Sequence, residues 1–529
     1  MKNHRFVPSS FRSWFSLSSL ENLILVGGIA IAIVQFLFNR CLWADSARIA
    51  MNIAERGFIG LLKPLDYFQS APVGFLWCER FMWILFPNCD WSLKLFPLLF
   101  HVLSLLMISL ILRMTISNPT ARCFSLFLYV TAIGPLYFSS EVKQYIADEF
   151  AAACLLWLAI RCTTRSQLLL LGITGLAFIP LSNAVFFLLP SIGLFLLMSL
   201  PPESSKDMFP YLVISGLLWA AGLLCFTILF TDESLKNYMI RYWSHADPAF
   251  LFRQGSWKLS LFTIVRQTCG TMAIMFGSFP SMIVASVLIP LGVIRFLRQK
   301  HWNLVLLLVF PVLMHGLASL LKQYPFAPRM LLHAFPCMLV LFAAGIEALF
   351  DSLPKTAITL LVALSSCQAG VLSSSFPLRR HETMETVRKL YRRYETDAPI
   401  VIDGSASWNW RFYSTHSRTF PALLARNAKE VPDNGNSCAF SKCPSIVSDK
   451  WWLLLGFSSS INIIPDVVVN RPLYWLFRVR NPKKDSTGHS FQEMEAAVNL
   501  HLKTVHGYEV RDSIHDAGSS ALLLQKTRE

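Results

Sequence analysis

Four short stretches gather polar residues that an otherwise apolar chain does not need for packing. "WADSARIAMNIAERGFIGLLKPLDYFQSAPVGFLW" holds Asp45, Arg48, Glu55, Asp66 and Gln69, and "FSSEVKQYIADEF" holds Glu141, Lys143, Tyr145 and Asp148. "RYWSHADP" holds Arg241, Trp243, His245 and Asp247, and "LLKQYPFAPRMLLHAFP" holds Lys322, Tyr324 and Arg329. Carboxylates suit deprotonating or orienting a hydroxyl or amine nucleophile. Lys and Arg suit the charge that builds on a phosphate leaving group. Tyr and Trp stack on sugars or hold a lipid head group. Together they form a toolkit for moving a group off a phospholipid-like donor at a membrane surface. Plainer readings stand beside this one: Lys322 and Arg329 as snorkelling anchors, Tyr242 and Trp243 as interface aromatics, and His245 as a loop histidine. Asp45 differs. It follows directly on an apolar run with Arg48 as its local partner, and an acid at a membrane edge is expensive.

The elements that must position these residues are membrane helices. Of 529 residues, 54% are hydrophobic and 15% charged, where a soluble domain carries about a quarter charged. The mean hydropathy is +0.48. Lys+Arg number 47 against Asp+Glu 32, a net charge of +15. On a soluble protein that excess would point to nucleic acid, but no RNA-binding or helix-turn-helix signature accompanies it. Basic loops meeting anionic head groups account for it instead. Apolar runs of spanning length lie near 21–39, 92–112, 122–139, 148–161, 166–182, 184–200, 208–230, 272–297, 302–321, 330–350 and 355–375, so about eleven spans are expected. Lys2, Arg5, Arg12, Arg113, Arg122, Arg161, Arg165, Arg295, Arg298 and Lys300 then mark cytoplasmic ends by the positive-inside rule. Loops 40–91, 140–147, 231–271 and 322–329 are left on the outer face, with all four polar stretches. The N-terminal "MKNHRFVPSSFRSWFSLSSLENLILVGG" lacks a small-residue cleavage site and is expected to be a retained first span.

From about Phe376 onward the character changes. "APIVIDGSASWNWRFY" predicts strand, turn and helix, "SDKWWLLLGF" a second strand, and "SFQEMEAAVNLHLKTV" a helix. The expected fold is a polytopic α-helical membrane protein (residues 1–375) with a small C-terminal α/β extracytoplasmic domain (376–529). The 12 cysteines are scattered. Cys438 with Cys443, and two of Cys41, Cys78 and Cys89, are disulfide candidates in an oxidising compartment. No zinc spacing occurs, no cofactor is required, and the acids leave a divalent cation possible. The absence of an Asn-x-Ser/Thr sequon with a non-Pro middle residue leans towards a bacterial inner membrane.

Three of these stretches, "WADSARIAMNIAERGFIGLLKPLDYFQSAPVGFLW", "YFSSEVKQYIADEF" and "YPFAPRMLLHAFP", resemble the polyprenyl-phosphate-dependent membrane glycosyltransferases of the GT-C fold. The likeness is to the protein O-mannosyltransferase and lipid A aminoarabinose transferase group, and it covers residues 20–350 in element order. It implies a sugar donor linked to polyprenyl phosphate, and a protein, lipid or glycan acceptor on the outer face. It also implies roles. Asp45 occupies the place of the first-loop acid that acts as base or orients the acceptor, with Arg48 beside it. Ser46 stands where the family's pattern carries a second acid. Glu141 or Asp148 matches the second-loop acid, Lys143 and Tyr145 fit Glu-x-Lys-x-Tyr, and Tyr324 and Arg329 match contacts to the donor phosphate. Arg241 is a further candidate phosphate contact. The alternative class is a transporter or flippase of lipid-linked glycans. Such proteins show inverted repeats and acids at mid-membrane, whereas these acids lie at span ends.

Overall fold

A computed structural model of the chain describes residues 19–199, 202–246, 248–252 and 256–378. In the tail it describes 385–387, 389, 400–402, 404–416, 428–430, 450–456, 508–516 and 519–526. The helices run α1 Ser19–Leu37, α2 Ala44–Glu55, α3 Val73–Leu85, α4 Leu95–Thr115, α5 Pro119–Val130, α6 Ile133–Phe138, α7 Tyr145–Arg161, α8 Arg165–Phe178 and α9 Val185–Ser199. They continue with α10 Pro202–Phe230, α11 Glu233–Arg241, α12 Trp257–Phe276, α13 Phe279–Arg298, α14 Trp302–Leu320, α15 Phe335–Ser352, α16 Pro354–Ser375 and α17 Gly404–His416. Eight of them (α1, α4, α10 and α12 to α16) are long and apolar enough to cross a membrane, and α8 and α9 are shorter apolar helices.

Two expectations about the spans need correction. The run near 122–139 is two helices, α5 and α6, broken around Thr131, whose carbonyl accepts from Gln368 Nε2 at 3.1 Å. The outward loop placed at 231–271 is shorter, because α11 and α12 both form inside it. Lys258, Arg266 and Gln267 interrupt the apolar pattern of α12, and its mean hydropathy of 1.3 is the lowest of the eight.

The chain sorts its charges to the two ends of the bundle. At one end Glu21 accepts from Arg113 and from Arg122 Nε, at 2.5 and 2.9 Å. Glu347 accepts from the Ser117 and Asn118 amides, each at 2.6 Å, and pairs with Arg295 at 3.3 Å. At the other end Lys94 donates to Asn39 Oδ1 at 2.7 Å and to the Arg40 carbonyl at 2.6 Å. Helix α4, preceded by Lys94 and carrying Arg113 in its last turn, separates these ends by about 30 Å at 1.5 Å per residue. Between them the apolar core carries an unusually close helix–helix approach. Gly292 of α13 and Gly345 of α15 leave so little room that a Cβ at either would strike the other helix's backbone, the small-residue packing that lipid-embedded helices favour.

The tail reaches back to the Lys94 end. Strand β1 Ile400–Ile402 leads into α17, which docks on the segment before and along α2. Asn409 Nδ2 donates to the Leu42 carbonyl, and the Leu42 amide donates to Tyr413 Oη at 2.9 Å. Strands β2 Ala428–Glu430, β3 Lys450–Gly456, β4 Tyr508–Asp516 and β5 Ser519–Lys526 complete a sheet of order β2-β1-β3-β5-β4. β1 lies parallel to β2 and β3, while β5 is antiparallel to β3 and β4. The helix expected around 490–505 lies outside the described residues. Cys41, Cys78 and Cys89 are free thiols. They do not form the disulfide considered for them, and Cys438 and Cys443 lie outside the described residues.

The glycine contact is testable. Gly345→Ala is expected to cost about 1–3 kcal/mol through forced separation of the two helices. Gly193→Ala, where a Cβ meets nothing within 4 Å, should leave thermal unfolding in detergent unchanged or raise it slightly.

Candidate functional site

The site is built outward from a buried ion pair. Arg40, where the chain leaves α1, donates to Glu141 Oε2 at 2.6 Å, and both side chains are 1% exposed. The same guanidinium donates to the Tyr137 carbonyl at 2.9 Å and to Ser140 Oγ at 3.3 Å, and lies 3.8 Å from the Tyr137 ring centroid. Burial alone would raise the Glu141 pKa. The Arg40 charge overcomes it and holds the carboxyl below its usual value. This pair ties the entrance of the first polar stretch to the second. It thereby sets Asp45 and Lys143 side by side.

Asp45 lies in the first turn of α2, where a carboxylate suits the helix dipole. It is 29% exposed, with Arg48 at 3.9 Å and Lys143 at 4.0 Å. Lys143 is buried and donates to Gln69 Oε1 at 3.0 Å. Its pKa is lowered to about 8, chiefly by burial, with Asp45 and Glu141 raising it and Arg329 and Arg48 lowering it. Arg329 sits in a 3₁₀ turn, Pro328–Ala334, that precedes α15. Its guanidinium lies between two indoles, 5.3 Å from the Trp43 centroid and 5.2 Å from that of Trp243. Arg48 lies 4.7 Å from the ring of Trp408 in α17. Tyr145 is buried, packs edge-on against Phe138 and interacts electrostatically with Arg329 and Asp45.

Thus Asp45, Arg48, Lys143, Tyr145 and Arg329, expected from three separate stretches of sequence to act together, do come together. The other candidates divide. Glu141 is committed to Arg40. Asp148 Oδ1 accepts from Ser182 Oγ at 2.7 Å and from the Asn183 and Ala184 amides at 2.8 and 3.3 Å, so it fastens the turn before α9. Tyr324 packs edge-on against Phe187 and His315 and borders Asp148 and Tyr145. Arg241 is exposed at the end of α11, where its carbonyl lies 3.1 Å from His245 Nδ1. Asp247 lies outside the described residues. Asp66 pairs with Arg56 at 2.5 Å, and Glu55 lies 3.2 Å from His416. Four further residues take part, of which Gln69 and Trp243 stand in the polar stretches without an assigned role and Trp43 and Trp408 were not recognised. Trp43 and Trp243 cradle Arg329, Gln69 holds Lys143, and Trp408 arrives from the tail. The available signal was the density of Trp and Tyr beside Arg in "RCLWADSAR", "RYWSH" and "WNWRFY". Among the described residues no three His, Cys, Asp or Glu side chains converge as a metal site.

The chain matches no protein-family model and no curated protein. Among solved structures, its fold is similar to the oligosaccharyltransferase of Archaeoglobus fulgidus in the apo form. That likeness has 14% identity and a TM-score of 0.46, and covers 75% of this chain and 64% of that one. The chain therefore spans under two thirds of the archaeal enzyme's length. The fold is also similar to ArnT from Cupriavidus metallidurans, bound to undecaprenyl phosphate (TM-score 0.48) and in the apo state (TM-score 0.49). Both have 11% identity and cover 96% of this chain and 98% of that one.

The ion pair makes a prediction about stability. Glu141→Gln leaves the buried Arg40 charge uncompensated and should cost about 3–5 kcal/mol, whereas Asp45→Asn, half-open to solvent, should change unfolding by well under about 1 kcal/mol. Because the folded Glu141 pKa is lowered from 4.5, its contribution is complete above that value. It is lost as pH falls through the lower folded pKa. Thermal unfolding of both variants against wild type at neutral and acid pH checks both statements.

Proposed function

We propose that the chain is an integral membrane glycosyltransferase that moves a sugar from a polyprenyl-phosphate donor to a protein, lipid or glycan acceptor on the outer face of a bacterial inner membrane. In this reading the Glu21–Arg113–Arg122 end is cytoplasmic. The observation that carries the reading is the charge of the Asp45 end. Arg48 and Lys143 approach the half-open Asp45 carboxylate there, Arg329 acts electrostatically on Lys143, and Glu141 is paired with Arg40. Cations gathered in a partly buried place favour the binding of a further anion. A lipid-linked phosphate supplies the anion. Its chain would lie in the bilayer while its head reaches the membrane edge.

In the reaction, the acceptor hydroxyl attacks the anomeric carbon of the donor sugar as Asp45 accepts its proton. The bond from that carbon to the phosphate oxygen breaks, and the electron pair leaves with the lipid phosphate. Attack opposite the leaving group inverts the anomeric centre. Lys143 and Arg329 are already aimed at the phosphate before charge develops, which is where preorganised groups lower a barrier most. Trp43 and Trp243 stack on Arg329, restrict its rotamers and exclude water around it.

Two outcomes test the reading. In membranes supplied with a polyprenyl-phosphate sugar, Asp45→Asn should lower transfer by about 10²–10⁴-fold, the usual worth of a general base. Sugar crossing the bilayer without transfer would support the transporter class instead. Binding of undecaprenyl phosphate should weaken as pH rises through about 8, where Lys143 loses its proton. The lipid phosphate's own ionisation, near about 6, is complete by then. Lys143→Arg should bind with no such decline.

A further inference from the structure

The four residues "DYFQ", Asp66 to Gln69, have a geometry that the reaction itself does not require. Tyr67 and Phe68 both occupy the left-handed region, with φ of 64° and 54°. That conformation crowds a Cβ against the following carbonyl, and it persists in successive aromatic residues only when the surroundings over-determine it.

The surroundings are specific. The Asp66 amide donates to Asn52 Oδ1 at 2.8 Å, and Asn52 Nδ2 donates to the Asp66 carbonyl at 3.3 Å, pinning this residue to α2. Tyr67 then packs on Trp408 of α17, ring centroids 4.8 Å apart. Phe68 stacks on Tyr238 of α11 at 4.3 Å and 20°. Gln69 turns the other way. Its Oε1 accepts from Lys143 Nζ at 3.0 Å, and its Nε2 donates to the Tyr67 carbonyl at 3.3 Å. Four consecutive residues therefore grip α2, the tail helix, α11 and the buried ammonium of the site. Relaxing either twisted residue would swing the next side chain away, so the two outer stacks and the Lys143 contact stand or fall together.

We propose that Tyr67–Gln69 is a positioning element that holds Lys143 in the phosphate site only while α11 and α17 are seated against it. The proposal rests on the reading of Lys143 as a phosphate ligand. It adds that the outer elements govern that ligand. Gln69 is a positioning residue, acting through Lys143 and not on the donor.

The groups facing Lys143 are Asp45 and Arg48 from α2, Arg329 from the turn before α15, Glu141 from its own loop, and Gln69. Gln69 is the neutral member, and changing its charge moves the titration of the ammonium in a known direction. An added carboxylate favours the charged lysine, and an apolar group disfavours it.

The experiment is equilibrium binding of undecaprenyl phosphate to the full chain in nanodiscs between pH 6.5 and 10. Wild type, Gln69→Glu, Gln69→Leu, Phe68→Ala, Tyr238→Ala and Lys143→Ala are compared. The expected result is a midpoint shifted upward in Gln69→Glu and downward in Gln69→Leu, each by about one unit. Tyr238→Ala, on the far side of the stack, should follow Phe68→Ala in lowering the midpoint, and Phe68→Tyr should restore it. If Lys143→Ala abolishes binding while the Gln69 and Tyr238 variants keep the wild-type midpoint, the positioning proposal is overturned and the phosphate reading stands. If Lys143→Ala binds as wild type does, the phosphate reading itself falls.

Discussion

The buried pair of Arg40 and Glu141 is the constraint on which the rest of the polar end depends. A guanidinium sealed from solvent at the exit of the first apolar helix demands a full set of acceptors. The segment from Tyr137 to Glu141 provides a carboxylate, a hydroxyl, a carbonyl and an aromatic face. Two stretches about a hundred residues apart in the chain are thereby fixed in register. Asp45 and Lys143 both lie within a few residues of that junction, and Arg329 comes to the site from the turn before α15. Asp45 begins the next helix after Arg40, and Lys143 follows Glu141 by two. Tyr413 and Asn409 of the tail then bind both backbone groups of Leu42, so the short connection from Arg40 to Asp45 is held from both sides.

From this frame follows the electrostatic character of the site. Glu141 is paired with Arg40 and Asp148 accepts from the amides before α9, while Asp45 faces Arg48 at 3.9 Å and Lys143 at 4.0 Å. Neutral groups also contact these cations: indole rings for Arg329, an amide oxygen for Lys143, and Trp408 for Arg48. Such contacts add no negative charge to the site, which favours an incoming phosphate. The opposite end of the bundle behaves differently. There Glu21 and Glu347 each neutralise arginines directly, and the result is a lock between helices.

Much of this was legible in the amino-acid order. Acids and cations beside apolar runs identify the helix ends, and the spacing of Asp45 and Arg48 puts both on one face of α2. The Lys143 motif and Arg329 also stand out, because a charge near a membrane needs a reason. The division of labour among the acids was not legible. Glu141 and Asp148 look equivalent to Asp45 until their partners are known, and those partners, Arg40 and the Ser182–Ala184 turn, are distant in the chain. The roles of Trp243 and Trp408 were hidden for the same reason, since an indole that cradles an arginine has no local signature separating it from an interface aromatic. Helix α12 escaped notice because Lys258, Arg266 and Gln267 lower its hydropathy while still fitting a helix that packs against the turn carrying Arg329.

The central claim is that the Asp45 end of the bundle receives a lipid phosphate. The most direct measurement is an experimental structure of the full chain in nanodiscs with undecaprenyl phosphate added. The account predicts phosphate density in contact with Lys143 and Arg329 and beside Asp45. Phosphate density at the Glu21–Arg113–Arg122 end, or at the Asp45 end without contact to either cation, would contradict it.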